Sequence, residues 1–499
     1  MEKKKIWAII QMIALVVQVI AEVLATVILI QLDILPDRYL AILILVMIVL
    51  VMYMSLFMFM KIKGSIRLWR RITSYVLALL IACGCLLICK FALDTRNVLH
   101  GVTGSDLPDT RNTYVLVLNE DAAHTLPETK GYRYGAVENY DVEHTQQMID
   151  VVEQETAETI AITYYQKAMM MVDALYNQEL DALIMNGASI SLLIEQENYE
   201  DFLTKVRILH TLPFKDMQVQ EPTKDKEEVV QSPFIVYISG SDTRSQKLTV
   251  SLSDVNIIAA VNPKTKQILL INTPRDYFVP NPAGKGALDK LTHCGNYGVE
   301  CSMEALEGLY NINIDYYVRI NFAGFEKFID AIGGVTVISD ETFTANHRTY
   351  ITKGENKLDG QGALDFARER YHLAGGDNAR GKHQMRVIKA VVDKMASSKT
   401  LISNYSSILN SLEGMFATSF RAEEISNLVK MQLNDMAKWD VRSFAVTGTG
   451  DMEETYSWAG QELYVMWPNK DTVAYASNLV GRVMSGEILT DADMTMPKQ

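Results

Sequence analysis

Three predominantly apolar stretches, about Ile6 to Ile30, Leu40 to Met60 and Ile72 to Leu93, open this 499-residue chain and limit what it can become. Each is close to the ~20 residues that carry a helix across a hydrocarbon core of about 30 Å, so three membrane-spanning helices are expected. The first has a basic start, Lys3-Lys4-Lys5, as a signal peptide does. It is long for one, and two more spans follow, so it reads as an uncleaved helix. Lys61, Lys63, Arg67, Arg70 and Arg71 lie between the second and third spans, whereas the loop after the first holds Asp33, Asp37 and only Arg38. That asymmetry puts the N-terminus in the cytoplasm and everything beyond about residue 95 outside the cell. Gln11, Gln18 and Glu22 share one face of the first helix. A carboxyl at mid-membrane costs roughly 3 kcal/mol, so this face is expected to pack against a partner helix.

A hydrophobic content of 48% beside 21% charged residues is high for a soluble chain, and the excess sits in these spans. The formal net charge is −13, yet residues 1–95 carry ten Lys/Arg against five Asp/Glu, so the anionic excess lies beyond them. An exterior that acidic argues against general nucleic-acid binding, whose affinity comes mainly from neutralising phosphates. It leaves room for a local basic pocket. The length suggests several domains. After the anchor (1–95) and a polar stalk (96–111), strands and helices alternate in a small α/β accessory domain (112–217). A charged linker (218–232), a second α/β domain (233–485) and a polar tail (486–499) complete the chain. Cys83, Cys85 and Cys89 read as small hydrophobic residues of the third span. Cys294 and Cys301 flank a short polar loop, and outside the membrane a disulfide between them is expected over two free thiols.

The second domain opens with three β-rich runs, from Phe234, from Ser253 and from Gln267, separated by Ser-Gly-Ser and Asn-Pro turns. If consecutive strands run antiparallel, Asp242, Asp254 and Arg275 meet on one sheet edge. Two carboxylates beside an arginine suit a hard divalent cation bridged to a phosphate. Ordinary solvated strand-end charges are the alternative. Phe322, Phe325, Phe328, Ile329 and Ile332 form one helical stripe, which reads as core or as the wall of a lipid channel. Arg368 and Arg370 can converge only if a helix ends between them. Asp377, Arg380 and Gln384 crowd the start of the next helix, where free N–H groups favour an anion.

Gly240-x-Asp242-x-Arg244, Ser253-Asp254, Pro274-Arg275-Asp276, Asp289-Lys290-Leu291, Ala367-Arg368-x-Arg370 and Asp377-x-x-Arg380 with Gln384 occur in order, and together resemble the signature of the LytR-CpsA-Psr family over residues 233–485. The three-span start and extra domain further resemble its capsule-associated CpsA branch. The resemblance implies an α/β domain with a central mixed sheet flanked by helices. It also implies an extracytoplasmic phosphotransferase that moves a glycan, here a capsular polysaccharide, with its linking phosphate from a polyprenyl-pyrophosphate carrier to peptidoglycan. Carried over, Asp242 and Asp254 would hold Mg²⁺ (or Mn²⁺). Arg244, Arg275, Lys290, Arg368, Arg370 and Arg380 would grip the pyrophosphate, with Gln384 beside them. Asp377 would orient arginines or serve as base, and Arg275, Arg368 and Arg370 would be catalytic. Where many members carry a second arginine before the glutamine, this chain has His383: either it replaces a phosphate contact or the pocket has one fewer charge. Capsule-synthesis membrane proteins are the expected partners besides the lipid-linked glycan and peptidoglycan. A non-catalytic polyprenyl-phosphate-binding regulator of capsule synthesis and a pyrophosphatase using the same pocket are the competing readings.

Overall fold

The computed structural model describes residues 2–33, 35–59, 68–102, 112–138, 140–194, 196–213, 228–242, 248, 251–369, 376–396, 408, 411 and 414–497. The three apolar stretches form helices α1 (Glu2–Leu32), α2 (Asp37–Phe59) and α3 (Leu68–Val102), each containing a segment long and apolar enough to cross a membrane. Gln11, Gln18 and Glu22 are buried against the other two helices, as expected for a polar stripe that avoids lipid. Gln11 Nε2 donates to Met58 O at 3.0 Å and Gln18 Nε2 to Glu22 Oε1 at 2.8 Å.

Strands β1 (Asn112–Leu118), β2 (Arg133–Val137), β3 (Ala161–Tyr165), β4 (Ala182–Asn186) and β5 (Val206–Pro213) form one sheet in the order β3-β2-β4-β1-β5. Parallel pairing of β2 with β3 and β4 requires crossovers, supplied by α4 (Val142–Thr156) and α5 (Ala168–Tyr176). Helix α6 (Gly187–Leu193) follows β4 directly, and Asn186 caps it by accepting from Ser189 N at 2.8 Å.

A second sheet is built on β6 (Phe234–Ser241), β7 (Val255–Asn262) and β8 (Gln267–Asn272), a consecutive antiparallel trio. A short ribbon, β9 (Phe278–Pro280) and β10 (Leu288–Lys290), and α7 (Val299–Tyr310) lead to β11 (Tyr316–Asn321), which pairs in parallel with β6. Helix α8 (Phe322–Ala331) starts where Asn321 accepts from Gly324 N at 2.8 Å and stops at Gly333 and Gly334, both in the left-handed region. After it come β12 (Val335–Ser339), the hairpin β13 (Phe343–Ala345) and β14 (Thr349–Ile351), and β15 (Gly354–Leu358). Helices α9 (Gly360–Arg368) and α10 (Gly376–Met395) come next, then β16 (Phe416–Thr418), α11 (Ala422–Asp435) and β17 (Asp440–Ala445). The hairpin β18 (Gly448–Thr455) and β19 (Trp458–Pro468) and helix α12 (Lys470–Met484) complete it.

The six-stranded order is β16-β11-β6-β7-β8-β17, with parallel and antiparallel pairs mixed. Its strands are apolar on both faces because both are covered. Tyr237, Ile258, Ala260, Leu269 and Ile271 meet α7 and α12 on one side, while Val236, Ile257, Ala259 and Leu270 meet α10 and α11 on the other. The two sheets share core: Leu252 and Trp458 are buried among the residues under β1–β5, and Ala188 of α6 is buried in the core beneath β6–β8.

Candidate active site

The three strands do run antiparallel, the condition on which Asp242, Asp254 and Arg275 come to one edge. Asp254 N donates to Gly240 O at 2.8 Å, closing the sheet end against which both carboxylates stand. Arg275 Nη1 donates to Asp254 Oδ1 at 2.5 Å. The three residues line a cavity of about 520 Å³ together with Arg368, Arg380 and Gln384. Helix α9 ends at Arg368, with Glu369 already extended, which is the break that an Arg-x-Arg convergence needs. The Arg368 guanidinium lies 4.6 Å above the Phe322 ring, an arrangement that holds a planar cation in place.

Helix α10 contributes by periodicity. Arg380, Gln384, Val387, Ile388 and Val391 line the cavity, and spacings of three and four put them on one helix face that turns from polar to apolar along its length. Gly381 lets this helix start press on the sheet, since a Cβ there would come within 2.1 Å of Asn272 Nδ2. Opposite, Phe322, Phe325 and Phe328 of α8 line the same cavity with Val318, Ile320 and Phe416. The expected stripe is therefore divided: its three phenylalanines face the cavity while Ile329 and Ile332 are fully buried core. The cavity is charged at the sheet edge and apolar between α8 and α10.

Burial first, and the neighbouring Asp254 second, raise the Asp242 carboxyl above its ordinary range, with Arg368 and Arg275 acting against them. Asp254 Oδ2 is buried with no hydrogen-bond partner among the described residues. Two facing carboxylates with an orphaned oxygen fit a hard cation. No group of three or more His, Cys, Asp and Glu ligands occurs among the described residues, so any cation held by these two carboxylates would take its remaining ligands from water or a bound anion.

Other expectations are revised. Lys290 does not line the cavity; its Nζ pairs with Asp276 Oδ1 at 2.5 Å, and Asp276 lies 3.8 Å from Arg275 Nε, so Lys290 stands one carboxylate behind the arginine. His383 does not line the cavity. Its ring is stacked on Phe366 at 4.1 Å and on Phe343 at 5.5 Å, and Nδ1 donates to Phe366 O at 3.1 Å. Burial pulls its pKa down to about 4, so at neutral pH it adds no charge to the cavity. Cys294 and Cys301 are free thiols rather than a disulfide. Cys301 Sγ donates to Asn281 Oδ1 at 3.3 Å, and contact with Cys301, then burial, push the Cys294 thiol well above its usual range. A thiol held protonated is a poor partner for disulfide exchange. Arg244, Arg370 and the Asp377 side chain lie outside the described residues.

Sequence reasoning missed Arg319, a fully buried guanidinium on the face of β11 opposite the cavity. It donates to Ser251 O at 2.6 Å and to Ser239 Oγ at 3.2 Å, while Ser239 Oγ and Tyr237 OH meet Ser253 Oγ at 2.6 and 2.8 Å. This network pins residues 251–253 and with them Asp254. A charged residue in the middle of an apolar strand run, Tyr316 to Asn321, is the signal that could have revealed it.

Solved structures align with about half of the chain. Bacillus subtilis TagU matches at 23% identity and a TM-score of 0.40, covering 52% of this chain and 100% of TagU. The protein gbs0355 of Streptococcus agalactiae matches at 24% and 0.44, covering 54% of this chain and 93% of its own. Among curated proteins, the polyisoprenyl-teichoic acid–peptidoglycan teichoic acid transferase TagU of Enterococcus faecalis is 33% identical over 230 residues, 46% of this chain and 74% of that protein. TagU of Bacillus cereus is 32% identical over 224 residues, 44% of this chain and 72% of its own length. The model of the LytR_cpsA_psr family matches residues 210–470, a span that holds every residue lining the cavity, and the chain belongs to that family.

Proposed function

We propose that this chain is a membrane-anchored transferase that moves a glycan with its linking phosphate from a polyprenyl-pyrophosphate carrier onto peptidoglycan. The observation that carries the reading is the single cavity whose charged end, Asp242, Asp254, Arg275, Arg368 and Arg380, continues into an apolar end, Phe325, Phe328, Val387, Ile388 and Val391. A lipid pyrophosphate has the same two halves. The curated relatives, named as transferases of teichoic acid to peptidoglycan, support the same reaction class.

In this reading the guanidinium groups of Arg275, Arg368 and Arg380 hold phosphate oxygens, where charge concentrated on a pyrophosphate is best stabilised by planar, always-charged donors. Asp242 and Asp254 would hold Mg²⁺ or Mn²⁺, which neutralises part of that charge when bound. The acceptor hydroxyl oxygen bonds to the glycan-bearing phosphorus and the bridging P–O bond breaks. Polyprenyl phosphate then leaves with the electron pair, and the hydroxyl proton is assigned to Asp377 on sequence grounds alone. Arg370 and Arg244 would add to the same grip. A capsular polysaccharide is the proposed glycan, with teichoic acid, the substrate in the relatives' names, as the competing donor.

The test is in vitro transfer to peptidoglycan fragments from each lipid-linked donor. Arg275→Ala or Arg368→Ala is expected to cut transfer by 100-fold or more, on the order of one lost charge-stabilising contact, with unchanged thermal unfolding. Retained transfer in both variants overturns the assignment. Release of free phosphoglycan by the parent protein would make it a hydrolase instead.

A further inference from the structure

Among the described residues, the turn from α1 into α2 meets the catalytic unit at Asp33 and at Arg38, in the first turn of α2, and both contacts fall on α11. Arg38 Nη2 donates to Leu433 O at 2.8 Å and to Asn434 O at 2.6 Å. These carbonyls belong to the last turn of α11, where backbone acceptors lack helical partners and the helix dipole is negative, so a guanidinium is well placed there. Asp33, at the other end of the loop, pairs its carboxylate with Lys430 Nζ, about one turn earlier on α11. Acid meets base and base meets carbonyl in register. Helix α3 also touches β16, whose Phe416 lines the cavity.

The position of α11 gives these contacts a consequence. Gln432 Nε2 near its end donates to Ala396 O, just past the end of α10, at 3.0 Å. The anchor loop thus sits beside the C-terminal end of α10, while Arg380 stands at the opposite end, about 24 Å away along a helix that rises 1.5 Å per residue. Between them run Gln384, Val387, Ile388 and Val391, the cavity-lining face.

We propose that the Asp33–Arg38 loop is a docking strut: it holds the catalytic unit over the anchor with the apolar end of the cavity towards the bilayer, so that a polyprenyl chain enters along α10 without crossing water. This rests on the transferase reading for its substrate, though the docking itself does not. Each contact alone is weak at a surface, and together, within one tethered chain, they fix orientation rather than attachment.

The full-length protein in liposomes tests it with two donors, one on a long polyprenyl chain embedded in the bilayer and one on a short, water-soluble prenyl pyrophosphate. Arg38→Ala combined with Lys430→Glu is expected to lower kcat/KM for the long-chain donor about tenfold, as misorientation does, and to leave the short-chain donor within about twofold. Exchange of the pair, Asp33→Lys with Lys430→Asp, should restore long-chain turnover relative to Lys430→Asp alone. Equal loss with both donors, or loss with neither, overturns the proposal. If the parent protein turns over neither donor, the transferase reading has failed, and docking is read separately from Asp33→Cys with Lys430→Cys. Cross-linking of that pair in liposomes by a short bifunctional thiol reagent, which spans the longer reach of a lysine–aspartate contact, is expected, and its failure overturns the strut.

Discussion

Arg275 and His383 show how little a residue's identity says about its job until its neighbours are known. Both belong to sequence motifs that suggest phosphate binding. Arg275 reaches Asp254 at the cavity, whereas His383 is folded away between Phe343 and Phe366. The buried imidazole has a titration consequence. With a folded-state pKa of about 4 against an unfolded value near 6.5, the unfolded chain binds the proton first as pH falls. The stabilisation is complete above about pH 6.5 and is lost progressively down to about pH 4, an effect on the order of 3 kcal/mol. His383→Phe should keep the stacking and give up the hydrogen bond to Phe366 O, costing about 1 kcal/mol at neutral pH. It should also flatten the decline between pH 6.5 and 4, as denaturant titrations at pH 7 and 4.5 would show. A steeper decline in the variant would contradict the burial argument.

At the scale of elements, α8 and α10 form the two walls of the apolar end. Phe325 is partly buried and lines the cavity from α8, so its ring is available to a ligand as well as to the core. Removing that contact should weaken binding of a polyprenyl pyrophosphate by about 1–3 kcal/mol, the scale of one aromatic side chain's buried surface. Phe325→Ala should therefore bind the lipid at least several-fold more weakly in calorimetry and leave inorganic pyrophosphate unaffected, because the charged end is untouched. Parallel losses for both ligands would place Phe325 in the fold rather than in the lipid path.

Across the whole molecule, the two sheets are not beads on a string. Trp458, on the hairpin that follows the six-stranded sheet, is buried among residues of β4, α5 and α6, and so is Leu252, two residues before Asp254. Trp458→Ala should cost about 3–5 kcal/mol, as large core truncations do. Its reach is the sharper test: hydrogen exchange should speed up in β1–β5 and at residues 251–254 together. Faster exchange confined to β18–β19 would show that the first sheet does not support the Asp254 segment.

Much of this was legible in the chain. Spans, polar stripes and strand runs depend on local periodicity, and the membrane and pleat geometries allow few answers to it. The turn residues around Phe234–Arg275 marked three strands, and antiparallel pairing, a condition in the sequence and a fact of the structure, put Asp242, Asp254 and Arg275 together. What remained open depended on contacts between segments distant in sequence. Whether Lys290 meets phosphate or Asp276, whether His383 points in or out, and whether Cys294 and Cys301 stay thiols depend on which side chains arrive beside them. Arg319 is the clearest case, since a guanidinium can be buried only where serine hydroxyls and a backbone carbonyl converge on it. Periodicity, a property of neighbours in the chain, set the elements. Desolvation and charge pairing, properties of neighbours in space, set what their side chains do.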